Sequence, residues 1–117
     1  MGISNGTYEI LPAIGKAGSL AIDVHAAGTA NGANVNSYGR NGTNAQKFYI
    51  TEETTGKWSI RNINSGKYVD VSAAIAENRR NVQTWEDNDT RAQRWKITET
   101  GQTVVVDGIT CPIVTIS

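Results

Sequence analysis

Two aspartates of this 117-residue chain stand in similar surroundings and raise the first question about its chemistry. Asp23 lies within Ala21–Val24, and Asp70 lies within Tyr68–Val71, 47 residues further along. Hydrolysis of a glycosidic bond needs two carboxylates roughly 5–10 Å apart that flank one bond. Because Asp23 and Asp70 belong to separate copies of a repeated pattern, we expect no glycosidase site.

Other catalytic and metal chemistries lack the residues they require. The one histidine, His25, lies two residues from Asp23 with no serine evidently within reach, so a Ser-His-Asp triad cannot be argued. Cys111 is the only cysteine, which excludes an internal disulfide and a multi-thiolate metal site. Metal-ligand clusters are also missing from the sequence. We therefore predict that the protein is not an enzyme and uses no metal and no cofactor.

Charge and length exclude several classes of partner. Eleven Lys and Arg residues balance eleven Asp and Glu residues, which leaves no positive excess to hold nucleic acid. Apolar runs such as Val104–Val106 are far shorter than the roughly 20 residues needed to span a bilayer, so we expect no membrane insertion. A length of 117 residues fits one domain over residues 1–117.

The stretch around the two aspartates repeats at a constant separation of 47 residues. The matched pairs include Asn34 with Asn81, Val35 with Val82, Tyr38 with Trp85, Asn41 with Asn88, Thr43 with Thr90, Gln46 with Gln93 and Phe48 with Trp95. Further upstream, Tyr8–Ile10 corresponds to Trp58–Ile60 at a separation of 50 residues, so the first copy has a longer loop. Such internal repetition is typical of a fold built from similar units.

Each copy shows the alternation of four short strands, and the twelve glycines and the Asn-Gly and Asp-Gly pairs favour tight turns between them. A short helical alternative lies at residues 72–80. The predicted strands are Thr7–Leu11, Leu20–Val24, Asn34–Tyr38, Gln46–Ile50, Lys57–Arg61, Lys67–Val71, Asn81–Trp85 and Gln93–Ile97.

Alternation also predicts which side chains share a face. In the second strand of each copy, Asp23 and Asp70 are predicted to face outward while their neighbours close the core. The third strand displays a polar residue and an aromatic ring together: Asn36 with Tyr38, and Gln83 with Trp85. In the fourth strand, Gln46 and Gln93 fall on the apolar face, where an unpaired amide would cost roughly 1–3 kcal/mol. We therefore interpret both glutamines as tethers for a neighbouring loop.

This pattern resembles the ricin-type β-trefoil lectins. Gln93–Trp95 matches the Gln-x-Trp motif of that family, and Gln46–Phe48 matches it with phenylalanine in place of tryptophan. The resemblance implies an all-β fold of the ricin B type, with lobe 1 at about residues 5–50, lobe 2 at about 55–98 and a partial third lobe at about 99–117.

A complete third lobe does not fit, since three copies of 47 residues exceed the 117 residues of the chain. Strand-like Thr103–Val106, an Asp107-Gly108 turn and Ile113–Ile116 follow lobe 2, without a further Gln-x-Trp. One expectation is a homodimer in which the open edge buries Ile113–Ile116 and Cys111. The alternative is that residues 104–116 fold back as a shortened hairpin that closes the opening.

The resemblance also implies sugar sites. In this family an aspartate accepts hydrogen bonds from adjacent sugar hydroxyls, an aromatic ring covers the apolar face of the sugar, and nearby amides add contacts. The carbohydrate-binding residues carried over are Asp23, Asn36, Tyr38, Asn41 and Asn44 in lobe 1, and Asp70, Gln83, Trp85 and Asn88 in lobe 2. Ala45 and Ala92 depart from the family, which often has asparagine before the motif glutamine.

Structural roles stay open for these positions: the aspartates could brace loops, the aromatic rings could pack at the rim, and Asn41 and Asn88 could form turns. His25 is interpreted as a surface residue. The resemblance implies a non-catalytic carbohydrate-binding module of a secreted or cell-surface protein, with glycans or polysaccharide as its partner. The alternative is a β-trefoil without sugar affinity that serves as a protein interaction or spacer domain.

Overall fold

The computed structural model describes residues 3–74, 76 and 80–117. The described residues form nine strands, joined by loops and four short 3-10 turns. The strands are β1 (Gly6–Tyr8), β2 (Leu20–Val24), β3 (Ala33–Gly39), β4 (Phe48–Thr54), β5 (Lys57–Asn62), β6 (Tyr68–Val71), β7 (Val82–Trp85), β8 (Ile97–Val106) and β9 (Ile109–Ile116). No helix in these ranges has the length and apolar character needed to cross a membrane.

Seven of the strands form one antiparallel sheet in the order β1-β4-β5-β6-β7-β3-β2. Strands β8 and β9 form a separate two-stranded hairpin. The two copies of the repeat are joined directly, because β3 of the first copy pairs with β7 of the second through Ala33 opposite Thr84 and Asn34 opposite Gln83.

The strand predictions hold in most places and fail in three: β1 ends at Tyr8 and not at Leu11, Gln93–Ile97 contains only an isolated bridge at Trp95 before β8 begins, and both motif glutamines lie outside strands. Strand β2 has the predicted ends, and β3, β5, β6 and β7 lie within one residue of theirs. Gln46 and Gln93, predicted to begin strands, instead end the 3-10 turns Asn44–Gln46 and Arg91–Gln93. Strand β4 consequently starts at Phe48 and continues to Thr54, where a turn at Thr55–Gly56 leads into β5.

Among the Asn-Gly and Asp-Gly pairs, Asp107-Gly108 forms a two-residue hairpin turn in the described chain. Both residues have positive φ, at 53° and 77°, which is the geometry of a type I′ turn. The helical alternative at residues 72–80 yields a 3-10 turn at Ser72–Ala74, and residues 75 and 77–79 lie outside the described residues.

A second pair of 3-10 turns preserves the repeat in an irregular conformation. His25–Ala27 and Ser72–Ala74 follow β2 and β6 directly, and both contain alanines in the left-handed region. Ala26 has φ 53° and its counterpart Ala73 has φ 59°. Left-handed backbone costs a non-glycine residue roughly 1–2 kcal/mol, so the surrounding packing must hold these turns in place.

The core lies between the two copies and explains why the fourth strand is apolar on one face. Phe48 is fully buried, as alternation predicted, and Trp95 packs against the core as a partly buried side chain. The buried members of the cluster are Val24, Phe48, Ile50, Trp58, Ile60 and Val69. The backbones of Trp58 and Trp95 exchange two hydrogen bonds of 2.8 Å, which links the start of lobe 2 to its end.

Residues 104–116 fold back on themselves as a hairpin, and the outer edges of β8 and β9 have no neighbouring strand among the described residues. The β8–β9 register shifts between Glu99 and Thr103, around Gly101. At the base of the hairpin, Ser117 and Lys96 exchange two backbone hydrogen bonds. Strands β8 and β9 thus form one long hairpin over residues 97–116.

The ion pairs of Arg40 with Glu9 and Asp107, here called the charged clasp, fix the hairpin tip to lobe 1. Arg40 at the end of β3 donates two hydrogen bonds of 3.0 Å to the carboxylate of Glu9. Its remaining terminal nitrogen lies 2.8 Å from the Asp107 carboxylate in the β8–β9 turn. One guanidinium therefore joins the β1–β2 loop, β3 and the hairpin tip.

We expect acid to weaken this clasp. The hydrogen bonds from Arg40 lower the pKa of Glu9 from its ordinary value of 4.5. Because the folded-state pKa lies below the unfolded-state value, the pair contributes its full stability above about pH 4.5 and loses it as the pH falls through the folded-state pKa. Urea unfolding of the wild type and of Arg40→Met should therefore differ most near neutral pH and converge in acid. A difference that is constant with pH would contradict this account.

Candidate functional site

Strand pairing brings the predicted site residues of each copy together. In lobe 1, Asp23 on β2 lies opposite Asn36 on β3. In lobe 2, Asp70 on β6 lies opposite Gln83 on β7. Directly opposite residues of an antiparallel pair share a face, and so do residues two apart on one strand. Each aspartate therefore shares a face with the amide residue and with the aromatic ring that follows it.

The two aspartates, predicted to face outward from the core, are both buried. Asp23 is 8% exposed and Asp70 is 4% exposed. The turn Asn44–Gln46 packs against β2, and the turn Arg91–Gln93 packs against β6. The face that points away from the core is thus covered by the copy's own loop, and each carboxylate lies at the base of its candidate site.

The interpretation of Gln93 as a tether is confirmed, and the tether reaches the carboxylate itself. Gln93 is fully buried, and its amide nitrogen donates to Asp70 Oδ2 at 3.0 Å and to the Glu86 carbonyl at 2.8 Å. Its amide oxygen accepts from the Asn88 backbone nitrogen at 3.3 Å. Gln83 adds a bond of 3.3 Å to Asp70 Oδ1. Both carboxylate oxygens of Asp70 are therefore held in place.

Gln46 performs the same role in lobe 1 through hydrogen bonds to backbone groups. It is fully buried, donates to the Gly39 carbonyl at 3.0 Å and accepts from the Asn41 backbone nitrogen at 3.0 Å. The hydrogen bonds found among the described residues include none from Gln46 to Asp23. The lobe-1 carboxylate is consequently less constrained than that of lobe 2.

Asn62 also shapes lobe 1, and the sequence did not reveal it. This fully buried side chain donates to the carbonyls of Ala45 at 3.1 Å and Lys47 at 3.3 Å, and it approaches that of Asn44 at 3.4 Å. It thereby holds the turn that carries Asn44, which is itself exposed. The repeat gives no signal for Asn62, because no asparagine stands 47 or 50 residues before it.

Asn41 and Asn88 act as turn formers in equivalent ways. The side-chain oxygen of Asn41 accepts from the backbone nitrogen and the hydroxyl of Thr43, at 3.0 and 2.7 Å. Asn88 makes the same pair of bonds with Thr90, at 3.2 and 2.8 Å. These Asx turns use the oxygen of each exposed carboxamide and leave its amide nitrogen as the group able to meet a ligand.

The two aromatic rings differ in exposure. Tyr38 is 63% exposed and Trp85 is 37% exposed, so each ring presents a surface to solvent. A flat ring beside a hydrogen-bonding group is suited to a sugar, which has one hydroxyl-rich edge and one face of C–H groups. The arrangement offers carboxylate and amide groups at the base and a ring at the rim.

His25 is a residue of lobe 1 that has no histidine counterpart in lobe 2. It is exposed, as expected, and its Nδ1 lies 3.3 Å from the Asn36 side-chain nitrogen. The oxygen of that Asn36 amide is buried without a hydrogen-bond partner in the described part of the chain. The position equivalent to His25 in lobe 2 is Ser72. Lobe 2 has its own buried atom without such a partner in the described chain, the hydroxyl oxygen of Thr84 on β7.

The described part of each lobe lacks the grouping of side chains that a metal ion needs. No cluster of three or more His, Cys, Asp or Glu residues lies within residues 3–74, 76 and 80–117. Pockets beside the β4–β5 turn, lined by residues such as Trp58 and Glu99, contain none of the candidate sugar-binding residues. What the candidate sites can offer is reversible hydrogen bonding and ring stacking at the surface.

Comparison with known families accounts for this geometry. The family described as ricin-type beta-trefoil lectin domain-like matches residues 2–85 and again residues 44–108. The chain belongs to this family. The membership supports carbohydrate binding in general and confirms the predicted all-β, β-trefoil class of fold. A comparison of the sequence with curated proteins finds no match.

Solved structures of the same fold are similar along most of this β-trefoil lectin-like chain. The designed threefold-symmetric protein ThreeFoil is 25% identical, with a TM-score of 0.74 over 92% of this chain and 71% of its own. The exo-beta-1,3-galactanase 1,3Gal43A from Clostridium thermocellum is 27% identical, with a TM-score of 0.71 over 81% of this chain. The Polyporus squamosus lectin is 23% identical, with a TM-score of 0.69 over 88% of this chain. The chain spans only 20% of the galactanase and 34% of the Polyporus lectin.

Proposed function

We propose that this chain is a non-catalytic carbohydrate-binding module, a single domain over residues 1–117 with one sugar site in each of lobes 1 and 2. The observation that carries the proposal is the recurrence, at one separation, of a buried aspartate below an exposed ring: Asp23 with Tyr38 and Asp70 with Trp85. Asn36, Asn41 and Asn44 complete the lobe-1 site, and Gln83 and Asn88 complete the lobe-2 site.

The mechanism is recognition without a chemical step. The carboxylate accepts hydrogen bonds from two adjacent sugar hydroxyls, the amide groups donate to other hydroxyls, and the ring covers the C–H face. Galactosides are the first ligands to test, because one of the similar structures is that of an exo-beta-1,3-galactanase. The protein is proposed to act outside the cell, where glycans and polysaccharides are displayed.

We expect weak binding at each site. A few hydrogen bonds of roughly 0.5–1.5 kcal/mol each and one stacked ring leave about 4–6 kcal/mol after the costs of association, a Kd from about millimolar to tens of micromolar. A glycan array identifies the ligand, and calorimetry on wild type, Asp23→Asn and Asp70→Asn then measures it. Each substitution should remove one site and leave the other unchanged.

Nanomolar monovalent binding would contradict the expected weak affinity, and two aspartate variants that bind like the wild type would contradict the proposed sites. The second candidate function is a β-trefoil that has lost sugar affinity and acts as an interaction or spacer domain. Ala45 and Ala92, which stand where lectins often have asparagine, are the observation that favours it. It predicts an array without any glycan signal from a folded protein.

A homodimer is proposed at the third lobe. Val105 and Ile109, on either side of the hairpin turn, are 60% and 65% exposed, and the outer edges of β8 and β9 have no strand beside them in the described residues. A second copy would cover both features. Light scattering at micromolar concentration should give a dimer mass that Ile109→Lys reduces to a monomer mass. A monomer mass for the wild type over this concentration range would refute the homodimer.

A further inference from the structure

A turn of lobe 1 borders the candidate sugar site of lobe 2. Asn31–Gly32 precedes β3, and the Gly32 backbone nitrogen donates to the Thr84 carbonyl at 2.8 Å. Thr84 stands between Gln83 and Trp85, the two site residues of β7. The β3–β7 pairing continues this contact through the next two residues of the chain. The lobe-2 site therefore has a neighbour from outside its own repeat.

Gly32 keeps the space beside the Trp85 ring open. A Cβ added to Gly32 would lie 3.9 Å from Gln83 Oε1 and 4.0 Å from Cζ3 of Trp85. The φ of Gly32 is +90°, a conformation that glycine adopts without steric cost. Any larger side chain here would project from a position in contact with both the amide and the indole of the site.

Two reciprocal hydrogen bonds fix this turn to the residue after Trp85. The Asn31 side-chain nitrogen donates to Glu86 Oε1, and the Glu86 backbone nitrogen donates to Asn31 Oδ1, both at 2.9 Å. The Glu86 carbonyl in turn accepts from Gln93, the amide that also holds Asp70. The base of the site and the bordering turn are thus aligned by one buried glutamine.

We propose that the lobe-2 site continues into a second subsite, formed by Asn31, Gly32 and Glu86, which binds the second sugar unit of an oligosaccharide. This inference rests on the proposed carbohydrate-binding function. The exposed Asn31 amide and the exposed Glu86 carboxylate, whose Oε1 accepts from Asn31, retain hydrogen-bonding capacity for hydroxyls, and the edge of Trp85 beside Gly32 supplies an apolar surface. Lobe 1 differs, since Tyr38 is much more exposed than Trp85. We therefore assign oligosaccharide binding to the lobe-2 site, whereas the lobe-1 site has the more exposed ring.

The test compares a monosaccharide with a disaccharide that ends in it. The probes are galactose with lactose, glucose with cellobiose and xylose with xylobiose, measured by calorimetry on the Asp23→Asn protein, in which lobe 1 is silent. One or two added hydrogen bonds should give at least one disaccharide about tenfold tighter binding than its monosaccharide.

Two further variants in the Asp23→Asn background test which residues cause the preference for the disaccharide over the monosaccharide. Gly32→Asn places a side chain in the subsite and should abolish the disaccharide preference, which is measured as the ratio of disaccharide to monosaccharide affinity. Glu86→Ala should reduce the preference and keep the backbone bond to Asn31. Gly56→Asn is the matched control, because Gly56 also has positive φ, at 75°, and an added Cβ there meets nothing within 4 Å. It should behave like the parent.

The outcomes separate the subsite from the proposed function. Equal affinity for both members of every bound pair, or a Gly32→Asn protein that behaves like Gly56→Asn, overturns the subsite while sugar binding stands. A wild type that binds while the Asp23→Asn protein binds nothing overturns it as well. Absence of binding to the probes and to a glycan array by the wild type overturns the proposed function, and the subsite with it.

Discussion

Replacing Gln93 with methionine is expected to destabilise the protein by roughly 2–4 kcal/mol and to abolish sugar binding in lobe 2. Methionine keeps the length of the side chain and removes the amide. Asp70 Oδ2, the Glu86 carbonyl and the Asn88 backbone nitrogen then lose a partner inside the protein. A buried polar group left unpaired costs roughly 1–3 kcal/mol, and water reaching the loop recovers part of that cost.

The matched control is Gln46→Met in lobe 1. Gln46 holds the Gly39 carbonyl and the Asn41 nitrogen, and no bond from it to a carboxylate is found in the described chain. We expect a smaller loss, roughly 1–2 kcal/mol, with lobe-2 binding intact. Urea unfolding measures the stabilities, and calorimetry on each variant measures binding. Intact lobe-2 binding in Gln93→Met would show that the amide does not position Asp70.

The second large effect separates two tryptophans of the same lobe. Trp95→Ala is expected to destabilise the protein by roughly 3–5 kcal/mol, because its ring packs against the core and its Nε1 donates to the Val69 carbonyl at 3.1 Å. Trp85→Ala should change stability by less than about 1 kcal/mol, since this ring is partly exposed, and should remove lobe-2 binding. Thermal and urea unfolding, with calorimetry, test both expectations.

Trp95→Phe serves as the control for this pair, because phenylalanine stands at the equivalent position of lobe 1, Phe48. It retains an aromatic ring in the core and loses the hydrogen bond to Val69. We expect a loss well below that of Trp95→Ala. The reverse ranking of Trp85→Ala and Trp95→Ala in unfolding experiments would mean that the faces of the strands are assigned incorrectly.

Local sequence patterns predicted the structure correctly wherever the repeat and the preferred backbone conformation indicate the same feature. The separation of 47 residues located β2 and β6, and alternation placed Asn36 with Tyr38 on one face and Phe48 in the core. The Asp107-Gly108 turn followed from the left-handed preference of that dipeptide. The tether role of Gln46 and Gln93 followed from the cost of burying an amide without partners. These inferences need only neighbours in sequence and the period of a strand.

Contacts between distant segments decided the rest. The burial of Asp23 and Asp70 depends on a loop that folds over the outward side of the strand, and alternation describes only the strand itself. Ala26 and Ala73 adopt a left-handed conformation that alanine does not prefer, so only the surrounding packing can impose it. Local preference is too weak to predict either feature.

The sequence by itself determined the class of fold, the two copies and the residue types at each candidate site. Only the tertiary structure decided that Asn31 and Glu86, 55 residues apart, bind each other beside Trp85, and that Arg40 joins Glu9 to Asp107. The physical reason is the distance along the chain over which each effect acts. Strand period and turn preference act over a few residues, whereas a hydrogen bond between two lobes exists only after the chain has brought them within about 3 Å.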